Sequence, residues 1–174
     1  MNMMRLSLKD SLFLGFCAVL MVFSRATMRL HLGIPGHAMF FTIFFLMTGR
    51  GCVRHPLAST FTGFLAGIMA MVLGLGKSGP LMLIIFLMPA LVIDAAAMAV
   101  PALFQSYLLS GGLAAVAAST KFIQAFIMDV LVGMDRTVIV QHALLDASTA
   151  VLFGVAGGLV VPPVIRKLKA FGVI

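Results

Sequence analysis

No glutamate occurs among the 174 residues, and aspartate only five times, at Asp10, Asp94, Asp129, Asp135 and Asp146. Paired acidic residues at fixed spacing, which a membrane-embedded lipid-modifying transferase would carry, are therefore missing. So are HExxH, GxSxG and the phosphate-binding P-loop. Without a P-loop, any ATP-driven activity has to be supplied by another polypeptide. Cysteine is nearly as scarce: Cys17 falls in an apolar run and Cys52 in a connector, with no CxxC pair. That pattern suggests neither a disulfide framework nor a zinc site. Charge is thin as well, at 10% of residues against about 25% in soluble domains. The net charge of +7 comes from basic residues scattered at segment ends, with no basic cluster interleaved with aromatics, which argues against nucleic acid as a partner.

What fills the chain is apolar: 62% hydrophobic residues and a mean hydropathy of +1.18. Runs such as Leu81–Val92 lack the alternation of a β-barrel strand. The remaining spanning solution is helical, and the length suits one domain, a compact bundle of about six helices of roughly 20 residues each. The expected spans are Ser11–Met28, Ala38–Thr48, Leu57–Leu75, Leu81–Val100, Gly111–Val132 and His142–Val161. Met1–Asp10 reads as a basic interfacial lead, and the first span as retained rather than cleaved, because Arg25 and Arg29 follow where a small-residue cleavage site would stand. Pro35-Gly36 marks a turn, Pro89 should kink the fourth span, and Pro162-Pro163 should end the sixth. Gly63 and Gly67, with Ala66 and Ala70, give the third span a surface for close helix approach.

Orientation follows from lysine and arginine. With the N-terminus inside, the inner segments hold Arg5, Lys9, Arg50, Arg54, Arg166, Lys167 and Lys169, and the outer ones Arg25, Arg29, Lys77 and Arg136: seven against four. Both termini are expected in the cytoplasm.

Polar side chains then gather in the outer half: Arg25, Arg29, His31, His37, Lys121, Gln124, Asp129, His142 and Asp146. Lys121 stands out because an ammonium at bilayer depth costs roughly 2.5–3.5 kcal/mol on the mildest scale. By helical spacing it shares a face with Gln124 and Met128, as His142 does with Asp146 and Thr149. The distribution suggests a pocket open outward and blind inward, with Arg29, His37, Lys121, Gln124, Met128, His142 and Asp146 as candidate substrate contacts. Two alternatives stand beside it. Lys121 can instead pair structurally with Asp94, and Arg25 and Arg29 can snorkel to the outer interface. The six-residue offset of His31 and His37 matches no standard zinc motif, so no metal or cofactor is expected.

Over nearly its full length the chain resembles a substrate-binding (S) component of the energy-coupling factor (ECF) transporters of prokaryotes. The resemblance rests on size, about six spans, both termini inside and a polar outer half. The family's small-xxx-small signature in the first helix has Ser11-x-x-x-Gly15 as its counterpart here. The resemblance implies capture of one vitamin-like small molecule in a pocket formed by the later helices and capped by the HLGIPGH loop. It also implies docking through Ser11 and Gly15 to a transmembrane coupling subunit, energised by two ATPase subunits, in the cytoplasmic membrane. An assembly subunit of a larger membrane complex and a lipid-modifying enzyme are the alternative classes.

Overall fold

The computed structural model describes residues 6–31, 36–75, 79–100, 103–104 and 106–172, without the side chains of residues 28–31, 80, 136 and 137. Most of the HLGIPGH loop, Lys77, Gln105 and the first five residues lie outside that description, as does the side chain of Arg29. Among the described residues there are six α-helices and no strand: α1 (Leu8–His31), α2 (Ala38–Cys52), α3 (Ala58–Val72), α4 (Met82–Ala99), α5 (Tyr107–Val132) and α6 (Arg136–Ala170). A 3-10 turn, Gly79–Leu81, leads into α4. The helical bundle expected from composition is what forms, since each helix closes its own backbone hydrogen bonds where no water can.

By length and composition, α1, α4, α5 and α6 can each cross a bilayer. The other two have 15 residues apiece, about 22 Å at 1.5 Å per residue. The expected third span of Leu57–Leu75 is thus cut at both ends. The placement of α2 accounts for its shortness: it touches every other helix. Met39, Ile43, Leu46 and Met47 are buried along it, so protein rather than lipid covers most of its surface. Around it α1 packs on α3, α3 on α4, α4 on α5 and α5 on α6.

Helix ends also depart from expectation, for readable reasons. Tyr107–Ser110, expected as connector, forms the first turn of α5. At its far end Gly133 takes a left-handed conformation, φ 77°. There the N–H of Gly133 bonds to the carbonyl of Val130 and that of Met134 to Asp129, each at 3.1 Å, a Schellman ending. The sixth helix starts six residues before the expected His142, after an extended Asp135. It also continues through Pro162-Pro163 to Ala170. The two prolines remove the donors for the carbonyls of Gly158 and Leu159. Val161 and Ile165, one turn apart and both buried, pin the helix on either side of the interruption.

Register is set by small residues. A Cβ on Gly157 would lie 2.5 Å from the carbonyl oxygen of Phe40, and one on Gly154 would lie 2.6 Å from Ala118 Cβ. The α6 backbone therefore rests directly on α2 and α5. The third helix uses Gly63 and Gly67 in the same way, against Phe86, Ala90 and Leu83 of α4, so that stripe serves internal packing. These contacts run parallel for α2 with α6 (Phe40 by Gly157, Gly51 by Ile165) and antiparallel for α3 with α4 and α5 with α6. Leu14 packs over Gly49, so the start of α1 and the end of α6 lie at one end of the bundle.

Gly157→Val should force α2 and α6 apart and lower stability by about 1–3 kcal/mol or more. Gly112→Val, where an added Cβ meets nothing within 4 Å, should not. Thermal unfolding of both variants in one detergent checks the contrast.

Candidate binding cavity and its charged neighbours

The antiparallel α5–α6 pair brings Lys121 and Asp146 face to face: Nζ lies 3.6 Å from Oδ2, with side chains 23% and 22% exposed. They border a cavity of about 110 Å³ whose other walls are Arg25, Gly36, Ala38, Met39, Ile85 and Ala150. Five helices and the turn before α2 thus meet at one place, in the half of the bundle away from the start of α1 and the end of α6. Gly36 closes the wall by backbone alone. Its φ is +85°, and a Cβ there would lie 2.8 Å from the backbone of Thr149 and Ala150. Arg25 is held from α1 with its guanidinium 4.9 Å from the ring centre of Phe86, a cation–π contact. The described walls therefore present two cations and one carboxylate.

Lys121 does not pair with Asp94. That alternative is overturned because Asp94, 1% exposed, is committed at the opposite end of the bundle. Its carboxylate accepts from the N–H groups of Ser59 (3.1 Å) and Thr60 (2.7 Å) and from the Thr60 hydroxyl (2.7 Å). Arg50 Nε lies 3.2 Å from its Oδ1, an ion-pair contact without hydrogen-bond alignment. Ser59 and Thr60 stand in the first turn of α3, and Leu57 at its N-cap position supplies no side-chain bond. Asp94 thus caps α3 from a neighbouring helix, meeting donors and dipole with one charge.

Gln124 is also placed differently from expectation. It is turned away from the cavity and donates from Nε2 to the carbonyl of Ile85 at 3.3 Å. Pro89, inside α4, has no N–H, and Ile85 lies four residues before it, so Gln124 serves the carbonyl that the proline leaves without its helical donor. Met128 joins Gln124 in a separate, mostly apolar crevice with Leu81, Ile84, Ile85 and Ile127. The expected Lys121–Gln124–Met128 face is therefore split by Ile85, which borders both spaces.

His142, half exposed, meets Asp129 through Nδ1 at 2.9 Å rather than entering the cavity. His37 sits between two cavity residues, Gly36 and Ala38, and is not itself a wall. Arg25, for which snorkelling to the outer interface was one alternative, is a wall residue. The sequence signal was its membership of the outer polar set, and what was missing was the depth at which α1 meets α4. Ser11 and Gly15 lie on α1, and an added Cβ at Gly15 meets nothing within 4 Å. Among the described residues no three His, Cys or Asp side chains converge as a metal site would need.

Compared with known proteins, the chain matches no family model, no curated protein and no solved structure.

Lys121→Met and Asp146→Asn should each destabilise the empty protein by about 1–3 kcal/mol, between the values for exposed and fully buried pairs. The double variant should recover most of that loss. Lys121→Met combined with Asp94→Asn should instead be additive. Unfolding midpoints for these variants test the assignment, and coupling of Lys121 to Asp94 would overturn it.

Proposed function

We propose that this chain is a substrate-capture subunit embedded in the prokaryotic cytoplasmic membrane, of the ECF type. It takes up a small vitamin-like molecule from the outer side and hands it to an ATPase-driven partner complex. The observation that carries this reading is the charged cavity. Arg25, Lys121 and Asp146 from three different helices line one cavity, and partly buried ionisable groups at membrane depth mark solute sites more than lipid-facing surface. The start of α1 and the end of α6 share the other end of the bundle, and the seven-to-four distribution of Lys and Arg favours the cytoplasmic side for it. A cavity of about 110 Å³ is smaller than the roughly 300–1,000 Å³ of whole-ligand sites. A cavity of that size receives a compact substrate, or the polar head of a larger one.

Energy comes from elsewhere in this reading, since no nucleotide-binding motif is present. The partners are a transmembrane coupling subunit and two ATPase subunits. Their docking surface is the exposed side of α1, where Leu12, Phe16, Val19 and Phe23 project and Gly15 leaves room for a second backbone. An assembly-subunit reading draws on the same surface but gives no role to the cavity.

Vesicles containing this protein alone should show no ATP-driven uptake, and uptake should appear when the coupling and ATPase subunits are added. Accumulation against a gradient by the protein alone would remove the reading.

Gly15→Leu should weaken co-purification with the coupling subunit while leaving thermal stability and ligand binding unchanged, because packing there needs close backbone approach. Loss of folding would assign Gly15 to the protein's own core.

A further inference from the structure

Beside the charged cavity lies the crevice between α4 and α5, where Gln124 is the one polar side chain of the lining and the other walls are apolar. A polar group on any guest there has the Gln124 amide as its side-chain partner. That residue is 3% exposed, and its amide is only half used. One end donates to the carbonyl of Ile85 at 3.3 Å. Because a carbonyl only accepts, the end facing Ile85 is Nε2 and the other is Oε1. Oε1 is buried, and among the described residues no group donates to it. A buried acceptor in that state is costly, and the group that relieves it has to be a donor.

The setting narrows the donor further. Ile84 and Ile127, each 39% exposed, flank the crevice on two helices long and apolar enough to cross a bilayer. The crevice therefore opens toward lipid. The fourth helix begins at Met82, so Ile84 and Ile85 lie in its first turn, near the level of the lipid head groups. The open space, about 10 Å³, has room for one water-sized group. Water itself suits it badly, since a buried water typically makes about three hydrogen bonds and these side chains offer one unmet acceptor. An anion suits it worse, because it would meet an amide oxygen and hydrocarbon with no cation in the lining. A hydroxyl at the end of an apolar chain fits both features. It brings one donor for Oε1 and methylenes to cover Ile84, Ile127 and Met128.

We infer that the crevice between α4 and α5 binds the hydroxyl terminus of an uncharged amphiphile from the lipid phase, with the hydroxyl donating to Gln124 Oε1. The inference goes beyond the capture reading and does not rest on it, since the crevice contains none of the three charged residues of the cavity.

The test uses the full chain in lipid nanodiscs with a photoreactive long-chain alcohol carrying a diazirine close to its hydroxyl. Mass spectrometry maps the labelled residues, and thermal unfolding reports whether each variant is folded. Labelling should concentrate on residues 81–85 and 124–128. Unlabelled hexadecanol should compete at a membrane mole fraction about tenfold lower than its methyl ether, the scale of one hydrogen bond to a buried acceptor. The ether keeps the chain and the oxygen and lacks only the donor. Gln124→Met removes the acceptor and should bring the two competitors level. Ile127→Trp, at an exposed position, leaves the Gln124–Ile85 bond in place, fills the side of the crevice, and should abolish labelling of both segments. Should Gln124→Met fail to fold, the alcohol–ether comparison in wild type and the Ile127→Trp result still decide the matter.

Equal competition by alcohol and ether in wild type would show that the crevice takes hydrocarbon without a donor, and would overturn the inference. So would labelling spread evenly over the helices, unchanged labelling in Ile127→Trp, or a preference for alcohol that persists in folded Gln124→Met.

Discussion

A carboxylate at 1% exposure among apolar helices must be met on several sides, and Asp94 is. Two backbone N–H groups and a hydroxyl from α3 bond to it, and Arg50 at the end of α2 supplies the opposite charge. The Ser59 hydroxyl in turn reaches the carbonyl of Leu46 at 3.1 Å. Three helices are thereby fixed at one end of the bundle through a single side chain. From that anchor the small-residue seams carry the register along the bundle: α3 on α4 through Gly63 and Gly67, α6 on α2 through Gly157. The far end inherits its geometry, and the cavity lies there.

How legible was this in the sequence? Fold class was legible almost entirely, because apolar composition without alternation leaves helices as the spanning solution. Lys121 was legible as an organising residue for the same reason: its cost at depth demands a partner. Which partner was not legible. Helical spacing says that Lys121 and Gln124 lie on neighbouring positions of one face, but not which helix that face meets, nor at what register. Asp94 and Asp146 were both within reach on paper. The α5–α6 seam at Gly154 and Ala118 decided for Asp146, and the start of α3 claimed Asp94.

Two further errors share a cause. Pro162-Pro163 was read as a helix end by local rule, yet burial of Val161 and Ile165 on either side keeps α6 continuous. Gln124 was read as a ligand contact because helical spacing puts it on the face of Lys121, yet its donor is used by Ile85. In both cases a proline deletes a backbone donor, and the resolution lies in another part of the chain. Sequence-local reasoning recognises the deletion but not where it is repaired.

The repair at Pro89 bears directly on the cavity. Ile85 is the residue whose carbonyl the proline frees, the residue that Gln124 holds, and a wall of both the charged cavity and the apolar crevice beside it. Its carbonyl is met by a side-chain hydrogen bond of 3.3 Å from α5 in place of the ladder donor that Pro89 lacks. Ile85 therefore ties the two spaces together: its carbonyl is bound to α5 through Gln124 while the residue borders both.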